Sequence, residues 1–182
     1  MAAEAGDGLP AAEEDLAVLV AAAEALAAAV RVPAGKLMRT KEFLSKLEHD
    51  LVVQAIRDAE SKTSGEIRVF IQRGEVKGDA LVAAQKRFHR LGLHKNAHHN
   101  DVLIWVAPRA HKFAVVGDEA IHQKCGDELW QRLIEQMRDH FRNEKFTAAL
   151  VDAIGEIGDA VAAHFPQGST STGSQPDEVI EG

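Results

Sequence analysis

The sequence holds a single cysteine, Cys125. That excludes an intramolecular disulfide framework and a multi-cysteine zinc site. It has no G-x-x-x-x-G-K phosphate loop and no H-E-x-x-H metalloprotease helix. His94 and His98 have the i, i+4 spacing of such a helix, but Lys95 rather than Glu follows His94. Aromatics make up only 5% of the chain, and no basic run is interleaved with them. Positive charge is scarce too. The net charge is -7: residues 1–37 contribute -4, and Asp177, Glu178 and Glu181 contribute -3. The stretch between sums to zero, so its body has no global field to gather phosphate backbones, and nucleic acid is not an expected partner. Long apolar runs are also missing. The best candidate, "DLAVLVAAAEALAAAVRV" from Asp15 to Val32, follows acids rather than a basic segment, and Glu24 interrupts it. It reads neither as a secretory signal nor as a membrane span, and the expectation is a cytoplasmic chain with no transmembrane segment.

What is present is an ordinary globular balance over 182 residues, 46% hydrophobic and 27% charged. One domain of this size buries a core without disulfides. Residues 1–37 form an alanine-rich extension, read as a poorly anchored appendage. Composition changes abruptly at "MRTKEFLSKLEHD", which suggests the hypothesis that Met38 is the native start. Recovery of peptides from within residues 1–30 in native cells would rule that out. The expected domain is 38–166, and 167–182 reads as a disordered tail by composition.

Apolar spacing at Phe43, Leu44, Leu47, Leu51, Val52, Ile56 and Ala59 predicts one helix over 40–62. Glu66 to Gln72 alternates like a strand. A helix is expected over 79–91, then a histidine-rich loop from Gly92 to Asn100. Val102 to Ala107 is apolar on both faces, as in a buried central strand. Pro108 ends it, and Phe113 to Val116 returns. Helices are expected over 127–142 and 146–164. Trp105 and Trp130 read as core residues. His140 and His164 read as residues packed on helix faces. This order gives an α/β fold: a three-layer α/β/α sandwich with a mixed, mostly parallel sheet including a β-hairpin.

A short turn centred on Arg109 and Ala110 places residues whose numbers sum to 219 opposite each other. Val106 then faces Phe113, Ile104 faces Val115, Leu103 faces Val116, and Asp101 faces Asp118. Like charges directly opposite are unfavourable. A bound cation, a nearby histidinium or lysine, raised pKa values or splaying into water would relieve them. Five of the nine histidines lie between Leu93 and His122. The candidate metal ligands are therefore His99, Asp101, Asp118, Glu119 and His122, with Glu66, His94, His98 and Asn100 as further candidates. Oxygen donors with one or two imidazoles suit Mg, Mn, Ca or Zn rather than a soft metal. The plainer reading is a solvated polar edge. Glu66 is a base or ligand on one reading and a salt-bridge partner of Arg68 or Lys112 on the other. Cys125 near His122 reads as a structural thiol more readily than as a nucleophile.

"KTSGEIRVFI", "NDVLIWVAPRAHKFAVVGDEAI" and "HFRNEKFTAALVDAIGEI" resemble, in this order over about residues 43–165, the TPM domain family. That family is named for a chloroplast thylakoid protein, a photosystem II repair protein and a nematode receptor modulator. The resemblance implies an α/β/α sandwich with a mixed sheet. It also implies divalent-ion binding, acid phosphatase activity in some plant members, and accessory or assembly roles beside membrane complexes in others. Bacterial relatives look like partners of LemA-like membrane proteins. Carried over by residue, Glu66 falls on the family's strand start, Asn100 on the Asn of an Asp-Asn-Gly-like turn, and Gly117 on the glycine after the third strand. His99 and Asp101 depart from that turn's Asp and Gly. Gly126 stands near a frequent Asp, with Asp127 adjacent. Typical members also carry a signal peptide and a C-terminal membrane helix. The chain thus resembles a short soluble bacterial branch. It is expected to act as a binding or accessory factor, with metal-dependent phosphomonoester hydrolysis as the alternative.

Overall fold

The computed structural model describes residues 30–31, 39–168 and 179–182. Within them, helices α1 (Thr40–Lys46) and α2 (His49–Glu60) precede strand β2 (Ile67–Ile71). Helix α3 (Ala80–Leu91) leads to the hairpin of β3 (Val102–Ala107) and β4 (Lys112–Gly117). Helices α4 (Glu119–Arg142) and α5 (Phe146–His164) follow. Two short edge strands, β1 (Val30–Arg31) and β5 (Val179–Glu181), complete a sheet of order β1-β4-β3-β2-β5. The central pairs are one parallel, β2 with β3, and one antiparallel, β3 with β4. The sheet is mixed, and the fold is α/β.

Every residue of β2 and β3 is buried, yet period-two alternation still sorts them between two cores. Ile67, Val69, Val102, Ile104, Phe113 and Val115 face α2, α4 and α5. Phe70, Leu103, Trp105 and Ala114 face Ala84 and Phe88 of α3. Trp105 and Trp130 are both core residues, 1% and 3% exposed. Helices α2 and α5 approach so closely that a Cβ on Gly158 would stand 2.5 Å from the Cβ of Ala59. Helix α3 has both of its stops written locally. The Asp79 carboxylate accepts from the N–H of Leu81 at 2.7 Å and Val82 at 3.2 Å, and Gly92 ends the helix at φ 80°.

The hairpin register is the predicted one: Val102 pairs with Gly117, Leu103 with Val116, Ile104 with Val115, and Val106 with Phe113. Three elements differ from the sequence reading. The single helix expected over 40–62 is two, because Leu47 is extended and the N–H of Glu48 donates to Thr147 Oγ1 of α5 at 3.0 Å. The helix expected from Asp127 is there, but a further helical segment, Glu119–Cys125, precedes it, and Gly126 at φ 68°, ψ 176° separates the two. Residues 167–182 read as structureless, but Val179–Glu181 lies along β2. Most of the 1–37 extension, the Met38 hypothesis and residues 169–178 fall outside the described residues. His140 sits 3.0 Å from Asp152 Oδ2 between α4 and α5, and His164 is exposed.

Candidate functional site

The hairpin ladder runs one rung past its last paired residues. The N–H of Asp118 donates to the carbonyl of Asp101 at 2.9 Å. On the other side of β3, Val102 N–H donates to the carbonyl of Glu66 at 2.8 Å. The ends of three strand segments therefore meet at one edge. The Asp101 side chain is held there from two directions: its Oδ1 accepts from Glu66 N–H at 2.9 Å and from Asn96 Nδ2 at 2.7 Å. Beside it Asn100 is fully buried. Its Oδ1 accepts from Asn96 Nδ2 at 2.9 Å, and its Nδ2 donates to Ser64 Oγ at 3.0 Å. These bonds fix the loop before β3 onto the turn before β2. Asn96 and Ser64 carry that work, and neither stood out as a site residue in the sequence. The repeated Asn of "NAHHND" is the local signal for it, since short amides bond their own loop.

Asp118 closes the edge from β4. Its Oδ1 accepts from Glu119 N–H at 2.9 Å and so caps α4. Its Oδ2 is buried and has no hydrogen-bond partner. His99 Nδ1 lies 3.3 Å from it, on a half-exposed side chain. That contact is ionic only when the imidazole is protonated, and it leaves the oxygen without a hydrogen bond. Burial pushes the Asp101 carboxyl up to about 6 from an ordinary 3.8, and the charges of Glu66 and Asp118 add to the rise. The bonds from Glu66 N–H and Asn96 pull the other way. His94 lies near enough to feel Asp118. Burial pushes its imidazole down, as do His89 and Lys95, while the Asp118 charge opposes them. The rings of His89 and His94 stand 4.6 Å apart, and His94 Nδ1 is buried without a hydrogen bond.

Of the expected ligand set, then, Asp101 and Asp118 are joined through their backbones at the edge, and the His99 side chain reaches Asp118. Glu119 turns to the surface, where its Oε1 accepts from Gln123 Nε2 at 2.8 Å. His122 lies along α4, its Nδ1 3.9 Å from Asp127 Oδ1 across the Gly126 break. Glu66 Oε2 pairs with Arg68 Nη2 at 2.9 Å, and Arg68 is buried between Glu66 and Glu60. The N–H of His98 donates to Asn96 Oδ1 at 3.0 Å. Burial raises the Cys125 thiol, which holds it in its un-nucleophilic form.

Among the described residues, no three His, Cys, Asp or Glu side chains converge as a metal cage. That geometry does not suit a closed four-ligand zinc site. A hydrated hard cation needs only one or two carboxylates, and Asp118 Oδ2 is a buried carboxylate oxygen without a hydrogen-bond partner.

Among the described residues, no helix is long and apolar enough to cross a membrane. No curated protein matches the chain. The NMR structure of the BA42 protein from the psychrophilic bacterium Bizionia argentinensis is similar at TM-score 0.67 and 33% identity, over 74% of this chain and 92% of that one. A family model of the TPM domain matches residues 37–160, an interval that runs from before α1 almost to the end of α5 and contains the whole hairpin edge. The chain belongs to the TPM domain family.

Proposed function

We propose that the chain is a binding module that takes up a divalent cation at the Asp101–Asp118 edge and serves as an accessory factor to a membrane-associated, LemA-like partner. The observation that carries the cation reading is the Asp118 Oδ2 atom, buried and without a donor, on a residue whose charge reaches the buried Asp101 carboxyl. A buried carboxylate oxygen left without a donor costs on the order of 1–3 kcal/mol, and a cation removes that cost. The one cysteine is not an activated nucleophile, since burial raises its thiol, which speaks against thiol-based covalent chemistry. Calorimetric titration with Mg, Mn, Ca and Zn tests the reading. Binding that disappears in Asp118→Asn supports it. The absence of binding by any of the four in the wild type removes it. Co-purification from native membranes, with and without cation, tests the partner.

One observation favours a second reading, metal-dependent phosphomonoester hydrolysis. A carboxyl poised at about 6 is suited to protonate a leaving alkoxide under mildly acidic conditions. In that reading Asp118 would hold the cation, the cation would polarise the ester and activate the water that attacks phosphorus, and Asp101 would give its proton to the departing alkoxide. Hydrolysis of a phosphomonoester that survives unchanged in both Asp118→Ala and Asp101→Asn would discard it.

A further inference from the structure

Strand β2 has β3 on one side, and its other edge is taken by the chain's own last residues. Val69 pairs with Val179, Phe70 with Ile180, and Ile71 with Glu181, all parallel. The contact continues past the strand. Gly182 N–H donates to the Ile71 carbonyl at 3.1 Å, and its carbonyl accepts from Arg73 N–H and, at 3.2 Å, from Gln72 Nε2. The Arg73 guanidinium pairs with the Glu181 carboxylate. Gly182 lies against the Phe70 ring, which Arg87 covers from α3 at 3.9 Å; a Cβ on Gly182 would stand 2.6 Å from Phe70 Cζ.

This is strand addition with a charge clamp at its end. Left bare, Ile67–Ile71 would present a row of unpaired backbone groups on an apolar strand, the kind of edge that pairs with other chains. What covers it is joined to the domain through "GSTSTGSQPDE", residues 168–178. The covering segment is acidic, and the side chains that meet it, Arg73 and Arg87, are basic. We propose that the free edge of β2 is a peptide-docking strand, filled in cis by Val179–Gly182 and able to take, in its place, an extended acidic peptide that sets a carboxylate against Arg73. The tethered segment competes at an effective concentration on the order of millimolar, so a partner docks well only when the segment is released.

The test uses the full chain, with a synthetic peptide of sequence SQPDEVIEG as the probe. The double variant Glu181→Gln/Gly182→Pro removes the carboxylate that pairs with Arg73 and the N–H that donates to the Ile71 carbonyl, and both positions lie outside the packed core. Expected in the wild type are protected amides at Ile71 and Arg73, whose N–H groups face the covering segment, and little response to the peptide. In the double variant, amide exchange at 71 and 73 rises, and the peptide shifts resonances of 67–73 with an affinity at least about tenfold tighter than in the wild type. Adding Arg73→Glu abolishes that binding. Unchanged exchange at 71 and 73 in the variant overturns the cis seat. Peptide shifts elsewhere, or none in the variant, overturn the docking strand. A wild-type dimer that becomes a monomer in the double variant assigns the edge to a second copy's tail and overturns the cis arrangement.

Discussion

The backbone of Gly65 passes directly under the carbonyl of Asn100, with no room between them for a side chain. A Cβ at 65 would run into that carbonyl oxygen, which is main chain and cannot swing aside. The approach is what lets Ser64 reach the loop before β3, and Asn100 answers with its bond to Ser64 Oγ. Gly65→Ala is therefore expected to destabilise the fold by about 1–3 kcal/mol through overpacking. It should also shift the Asn100 and Asp101 amides in NMR spectra. Gly155→Ala is the control. Gly155 is exposed in the middle of α5 with nothing within 4 Å of its Cβ position, so alanine there should stabilise by roughly 0.5–1 kcal/mol. Urea midpoints of the two variants moving in the same direction would contradict this account.

Asp101 makes stability depend on pH in a direction opposite to that of a salt-bridged carboxylate. The folded state holds its proton to about 6, the unfolded state only to 3.8. Stability from this group is thus fullest below about 3.8 and is lost as pH rises through 6. The loss is on the order of 3 kcal/mol. Asp101→Asn keeps an oxygen for Glu66 N–H and Asn96 while removing the titration. Its stability relative to wild type should rise from near zero at pH 4 to a plateau above pH 6.5, measured by denaturant unfolding as a difference so that other groups cancel. A flat difference across that range would show that Asp101 titrates normally.

How much of this was legible follows from where the signals lie. The hairpin was written locally: an apolar run, Pro108 to stop it, a short turn, and a second apolar run fix the register, so Asp101 and Asp118 could be set opposite each other from numbering alone. The split of the first helix was not, because Leu47 continues the apolar period and the group that caps Glu48 is Thr147, far along the chain. Gly126 carried a breaker signal, but the helix resumes after it, since Leu129 and Leu133 bury on the same core as Ile121. The turning of Glu119 toward Gln123 depends on side-chain torsions that spacing does not encode. The return of Val179–Glu181 to β2 was hidden by a polar tail composition.

Asp118 has two separable jobs, and two substitutions divide them. Its Oδ1 caps α4, and asparagine caps as well as aspartate, so Asp118→Asn should lie within about 0.5 kcal/mol of wild type. Asp118→Ala leaves the Glu119 N–H without that acceptor and should cost about 1 kcal/mol. Both remove the Oδ2 carboxylate charge and should lose divalent-cation binding equally. Thermal unfolding with and without added cation reads both effects. Cation stabilisation that persists in Asp118→Asn would move the ion away from this oxygen.

His99 stands where the edge is most open to change. Its backbone is left-handed at φ 48°, a conformation that asparagine adopts more readily than histidine. Its imidazole reaches to 3.3 Å from Asp118 Oδ2, on a side chain more than half exposed, so the contact contributes little to stability. Protonated, it competes with a metal ion for the same oxygen. His99→Asn should therefore leave stability within about 1 kcal/mol of wild type or raise it. It should tighten binding of Mg or Ca several-fold, because an amide oxygen is a better neighbour for a hard cation than an imidazole. Isothermal titration of both proteins decides it, and an unchanged or weaker affinity in the variant would place His99 outside the ion's reach.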